Sequence, residues 1–228
     1  MQLKALILFG SCARGDQQED SDVDMLAIHD DKIYRIDEYG KLNFSLYSET
    51  TLSKMMSDGE LFALHLATES KIIYENDECA SKLFKTFRYK NSYQSVIDEA
   101  NILAWAIIKY YDCINKPELC NKRLVWCIRT ICAAMAAEQK KNCFSASSIV
   151  ASVPLDNMAW MLKQKNNVAK SPQLLVQMRE FLQFYNLKQS EQVALSNDID
   201  TCVNLFKRGS MGYKFIHSLI TQKKLGYL

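Results

Sequence analysis

The chain has 228 residues, 48% of them apolar and 24% charged, ordinary proportions for a globular protein. Glycine and proline together make up about 4% of it, against a usual share of roughly 12%, which excludes collagen-like, low-complexity and turn-rich all-β chains and favours long helices. The net charge is +2, no run of about 18 apolar residues exists to cross a membrane, and the eight cysteines show neither a C-x-x-C pair nor zinc spacing, so they read as reduced, buried thiols of a cytoplasmic protein.

The N-terminus, MQLKALILFGSCARG, lacks the basic start and small-residue cleavage site of a signal peptide and reads as part of the fold. Residues 3–9, LKALILF, form a short apolar run closed by Gly10, the pattern of a buried strand. A second strand is expected at 23–29, VDMLAIH, and a third at 41–47, KLNFSLY, with Leu42, Phe44 and Leu46 on one face and Asn43, Ser45 and Tyr47 on the other. Ser48 is placed to cap a helix running to about Ser57, which Asp58-Gly59 ends. ELFALHLATES reads as a further helix and KIIYE, at 71–75, as a strand.

After about residue 80 the apolar period changes to that of helices. Val96, Ile97, Ala100, Leu103, Ala104, Ile107 and Tyr111 make one stripe, Leu124, Cys127, Ile128, Ile131 and Met135 a second, and Leu174, Leu175, Met178, Phe181, Leu182 and Tyr185 a third. Pro117, Pro154 and Pro172 each sit where a helix can begin. The expected class is therefore α+β: a small mixed-sheet domain over 1–80, followed by an α-helical bundle over 81–228.

Charge is uneven along the chain. Residues 14–38 hold nine acids (Asp16, Glu19, Asp20, Asp22, Asp24, Asp30, Asp31, Asp37 and Glu38) against Arg14, Lys32 and Arg35. Residues 201–228 hold Lys207, Arg208, Lys214, Lys223 and Lys224 and no acid, a balance that suits either a solvated tail or an anionic partner such as RNA.

The chemistry is concentrated in LFGSCARGDQQEDSDVDMLAI, which contains Gly10-Ser11-x10-Asp22-x-Asp24. A glycine after a buried strand lets the backbone turn and approach a ligand closely. The residues that follow can offer N–H groups to a phosphate. Asp22 and Asp24, at i and i+2 on a strand, share a face with Cα atoms about 6.5–7 Å apart. Two carboxylates so placed suit Mg²⁺, which is usually held by a few carboxylates together with substrate phosphates.

These residues resemble the signature of the polymerase β-like nucleotidyltransferase superfamily, most of all its minimal-nucleotidyltransferase branch, with Ala13-Arg14-Gly15 and Ser21 also in register. The resemblance implies transfer of a nucleoside monophosphate from an NTP, ATP by expectation, to an acceptor hydroxyl with release of pyrophosphate. It implies that Gly10 and Ser11 grip the triphosphate with Ser21 beside them, and that Asp22 and Asp24 ligate one or two Mg²⁺ ions. Arg14 either neutralises the γ-phosphate or pairs with neighbouring acids.

Many members carry a third acid on the next strand, where this chain offers only Asn43 and Ser45. Glu138 falls on the apolar stripe of its helix and is the candidate replacement. Arg129 to Glu138, R-T-x7-E, is loosely similar to a stretch of kanamycin nucleotidyltransferase, whose helical domain supplies a glutamate base. Asp37 and Glu38 are expected in a solvated turn. Lys207, Arg208 and Lys214 are candidates for holding an anionic acceptor.

The acceptor implied is a protein or an RNA rather than a small molecule, with a partner protein or a second copy of the chain also in view. The alternative reading is a weak or inactive nucleotidyltransferase-fold protein with a binding or regulatory role, such as a toxin–antitoxin or defence component. The nearest approach to the R-x4–6-H motif of associated helical ribonucleases, Arg208 to His217, has eight intervening residues, so no ribonuclease activity is expected.

Overall fold

The computed structural model describes residues 2–17, 19, 21–30 and 34–225. Asp20, Asp31 and Lys32 of the acidic stretch, and the side chains of Lys223 and Lys224, lie outside the described residues. The chain forms two compact units, Met1–Ser92 with Ala136–Ser145, and Tyr93–Met135 with Ala146–Leu228.

The first unit is built on a five-stranded mixed sheet. Its strands are β1 (Leu3–Phe9), β2 (Val23–His29), β3 (Arg35–Tyr39), β4 (Leu42–Ser48) and β5 (Lys71–Glu75), in the order β3-β4-β2-β1-β5. All neighbours are antiparallel except β2 and β4, which run parallel. Alternation sends Ala5, Ile7, Leu26 and Ile28 to one face. There they pack on Leu52 and Met56 of α2 (Glu49–Ser57), Ala63 and Leu66 of α3 (Leu61–Glu69), and Ala80 and Leu83 of α4 (Cys79–Phe84). Ser48 caps α2 as expected, its Oγ accepting from the Thr51 N–H at 3.1 Å.

Two short elements depart from the sequence reading. Residues 10–14 form a single helical turn, α1 (Gly10–Arg14). Asp37 and Glu38 lie on β3, an edge strand hairpinned onto β4, and not in a turn. Four of the five β3 residues are exposed, so the strand carries no apolar alternation to betray it.

The second unit is helical: α5 (Gln94–Tyr110), most of α6 (Pro117–Glu138), α7 (Ala146–Ser152), α8 (Met158–Lys163), α9 (Pro172–Phe184), α10 (Glu191–Leu195) and α11 (Met211–Leu225). Its core is the set of expected stripes, with Leu103, Ile107, Leu124, Ile128, Ile131, Leu174, Met178 and Phe181 all buried. One polar knot is buried among them: Tyr111 Oη donates to Asn121 Oδ1 (3.1 Å), and Asn121 Nδ2 donates to the carbonyls of Asn167 and Ala169. Satisfying every group of such a knot fixes the chain path beside it.

Pro117 and Pro172 open helices as expected, whereas Pro154 lies in the link between α7 and α8. It follows two residues after the end of α7, the other place where proline is favoured, because it cannot continue a helix.

None of the eight cysteines is in a disulfide, and five of them (Cys120, Cys127, Cys132, Cys143 and Cys202) are buried. Burial pushes the Cys120 thiol up to about 12. No helix among the described residues is long and apolar enough to cross a membrane.

Candidate functional site

The register of the sheet assembles the motif. Phe9 pairs with Asp24, and Asp24 with Asn43, so the end of β1, the start of β2 and the start of β4 meet at one edge of the core. Gly10 is the first residue beyond β1 and turns the chain at φ +73. A Cβ there would lie 2.6 Å from Asp24 Oδ2. Gly10 is therefore required twice, by its backbone and by the carboxylate laid against it.

α1 is too short to bury a stripe of its own. It is held instead by Ala13, buried beneath it, and by Gly15 at φ +81, whose N–H returns to Ser11 O at 2.9 Å. This left-handed cap explains the A-R-G spacing, since only glycine takes that conformation without cost. The first N–H groups of a helix have no partner inside it. They belong here to Gly10, Ser11 and Cys12, beside Asp24.

Asp24 is half-buried and accepts a hydrogen bond from Asn43 Nδ2 at Oδ1, 3.0 Å. Asp22 is exposed and immediately precedes β2 rather than lying on it. Its carbonyl accepts from Cys12 Sγ at 3.5 Å, which ties it to α1. Both aspartates thus flank the same turn of helix. Ser21 is half-buried at the entry to this stretch.

The third strand position holds Asn43, as the sequence indicated, and an amide can neither accept a proton nor add charge. The next residue in the same cross-strand row is Glu38, paired with Asn43. Two strand spacings of about 4.8 Å separate its backbone from that of Asp24. Among the described residues no group of three His, Cys, Asp or Glu side chains is placed to hold a metal. The aspartate pair still suits a divalent cation that takes its remaining ligands from phosphates, because the bare Gly10 lets Asp24 Oδ2 lie directly against the turn that follows β1.

Arg14 is ion-paired. It contacts Asp16 through Nε and Nη2, each at 3.2 Å, and reaches Glu69 Oε2 through Nη1 at 3.0 Å. Nη1 also lies 3.3 Å from His65 Nε2. Asp16 is one of the neighbouring acids expected to pair with Arg14, whereas His65 and Glu69 sit on α3, more than 50 positions away, where sequence reasoning passed over them. His65 is in turn stacked on Phe144, with ring centroids 4.7 Å apart, and meets the edge of Phe9.

Glu138, the last residue of α6, is exposed and accepts a hydrogen bond from Ser92 Oγ at 2.9 Å. Lys207, Arg208 and Lys214 are exposed in the helical unit. A cleft of about 510 Å³ in the first unit, lined by Lys4, Glu49, Cys79 and Lys82 among others, contains none of the motif residues. A cleft without convergent chemistry is the weaker candidate, and the α1 edge is taken as the site.

Residues 1–79 match the family model described as polymerase beta, nucleotidyltransferase. These residues form a polymerase β-like nucleotidyltransferase domain. A nucleotidyltransferase-like protein from Exiguobacterium sibiricum 255-15 is similar over 82% of this chain and 70% of its own, at 15% identity and a TM-score of 0.35. No curated protein matches the chain. The nucleotidyltransferase domain supports nucleotidyl transfer as the general activity, and its family generally uses an NTP and a divalent metal.

Proposed function

We propose that residues 1–80 transfer a nucleoside monophosphate from an NTP, ATP first among them, to a hydroxyl of a protein or RNA, and that residues 81–228 bind that acceptor or a partner. The observation that carries this reading is the Gly10–Asp24 contact. It places a carboxylate oxygen against a backbone turn that favours glycine, both by its positive φ and by the 2.6 Å a Cβ would leave to that oxygen.

In this reading the turn Gly10–Ser11 receives the triphosphate on backbone N–H groups and the Ser11 hydroxyl. Asp24 presents Oδ2 towards it, while Asn43 holds Oδ1 and so fixes the carboxylate plane. Asp22 supplies the second, solvent-facing carboxylate. Asp22 and Asp24 would hold Mg²⁺, which neutralises the phosphate oxygens and stabilises the charge that builds on the leaving pyrophosphate. The bond from acceptor oxygen to the α-phosphorus forms as the bond to the β-phosphate oxygen breaks, and the hydroxyl proton must leave.

Asn43 cannot take that proton, so it passes to Asp22, to Glu138 or to water. General-base help is typically worth 10²–10⁴-fold, which predicts slow turnover if water alone accepts it. Arg14 acts as a strut that clamps α1 to α3 through Glu69, and not as a phosphate ligand.

The test is incubation of the full chain with α-labelled NTPs, Mg²⁺ and cell extract. Label should move to a protein or RNA band, and Asp22→Ala and Asp24→Asn should each remove it. Because Asn43 leaves the site with two carboxylates, the second reading is a protein that binds NTP without turnover, as in a regulatory or toxin–antitoxin role. Mg²⁺-dependent nucleotide binding with no label transfer would select it.

A further inference from the structure

Among the described residues, the helical unit contains a cation with no counter-ion. Arg123 lies on α6, one turn before Trp126, with its guanidinium carbon 5.7 Å from the Trp126 ring centroid and 5.6 Å from that of Phe215 on α11. Its Nε is buried with no hydrogen-bond partner, while the residue as a whole is half-buried and so keeps contact with solvent. Among the described residues no carboxylate pairs with it. Glu99, on the neighbouring α5, accepts from the Gly212 N–H instead, at 3.2 Å. Burial pulls the guanidinium below its ordinary value, yet an arginine stays charged. A partly desolvated cation with no counter-ion is costly, and an anion arriving from solvent would complete it.

The surroundings indicate which anion. Lys122 precedes Arg123 on α6 and Lys214 precedes Phe215 on α11, and both are exposed. Lys207 and Arg208 are exposed just before α11, and no acid occurs from residue 201 onward. An uncompensated basic stretch favours a polyanion over a single carboxylate. A guanidinium fork held against aromatic rings suits phosphate oxygens; Phe215 is buried and Trp126 half-buried, so the contact is with the backbone rather than with stacked bases.

We propose that Arg123, flanked by Trp126 and Phe215, is an anion site for the phosphodiester backbone of single-stranded RNA. The inference rests on the acceptor-binding role proposed for residues 81–228, and its test contains no NTP, so failure of RNA binding is distinguished from failure of nucleotidyl transfer.

The experiment is fluorescence anisotropy of the full chain with a labelled oligouridine of about twelve nucleotides, within the span such grooves cover. Inorganic phosphate serves as competitor, and a labelled polyglutamate peptide is run in parallel. The wild-type chain should bind the RNA in a salt-dependent manner, phosphate should displace it, and polyglutamate should not bind. Arg123→Met should weaken RNA binding by at least about tenfold, and Arg123→Lys, which keeps the charge but loses the fork, by a smaller factor. Without any anion, Arg123→Met should melt at the wild-type temperature or above, since it removes a half-buried charge that has no counter-ion while keeping an apolar stem against the rings. A purely structural arginine would give the opposite shift. Equal RNA binding by wild type and both variants, polyglutamate binding in place of RNA, or destabilisation of Arg123→Met without anion would each overturn the proposal.

Discussion

Asn43→Asp would put a carboxylate where an amide now donates to Asp24 Oδ1 at 3.0 Å. Two effects add. The lost hydrogen bond to a charged group is worth about 1.5–3 kcal/mol. Two like charges about 4 Å apart repel by roughly 4 kcal/mol at an effective dielectric of 20. Both residues are half-buried, so solvent screening removes half or more of the second figure. In metal-free buffer near neutral pH the variant should lose about 2–4 kcal/mol, or roughly 5–10 °C in melting temperature.

The deficit should shrink on acidification, because the crowded pair can then share one proton. It should also shrink on adding Mg²⁺ or Mn²⁺, since three carboxylates bind a divalent cation more tightly than two. Thermal melts with and without metal read the stability, and Mn²⁺ titration by electron paramagnetic resonance reads the affinity directly. If the variant melts like wild type in chelator, or gains nothing extra from metal, Asn43 does not hold Asp24 and the arrangement of the site is wrong.

Gly10→Ala should leave the far-ultraviolet circular dichroism unchanged but weaken nucleotide binding more than tenfold, because its Cβ meets Asp24 Oδ2 and an alanine at positive φ costs about 1 kcal/mol more. Arg14→Met should destabilise by about 2–3 kcal/mol, seen as a lower urea midpoint, since it leaves the largely buried Glu69 carboxylate without its cation. A thiol reagent on the native chain should modify exposed Cys113 first and half-buried Cys12 and Cys79 more slowly, with the other five cysteines reacting only on unfolding.

Much of the fold was legible because burial writes itself into period. β1, β2, the α2 cap and the stripes of α5, α6 and α9 appear where the apolar spacing places them, and β4 is offset by one residue. β3 was not legible, because an edge strand with no buried residue carries no alternation. α1 was not, because five residues are too few to show a helical period. In the site, Gly10 and Asp24 were readable as a motif, but their contact depends on the Phe9–Asp24 register, which is a tertiary fact. The Arg14–Glu69–His65 cluster likewise joins distant segments, and nothing local to Arg14 distinguishes a phosphate ligand from a strut.

The most direct measurement is equilibrium binding of a non-hydrolysable NTP to the full chain, in Mg²⁺ and in chelator, for wild type and for the double variant Asp22→Ala/Asp24→Ala. Binding that needs the metal in wild type and is lost in the double variant is the predicted result. Binding that is indifferent to chelator, or that survives removal of both carboxylates, would contradict it.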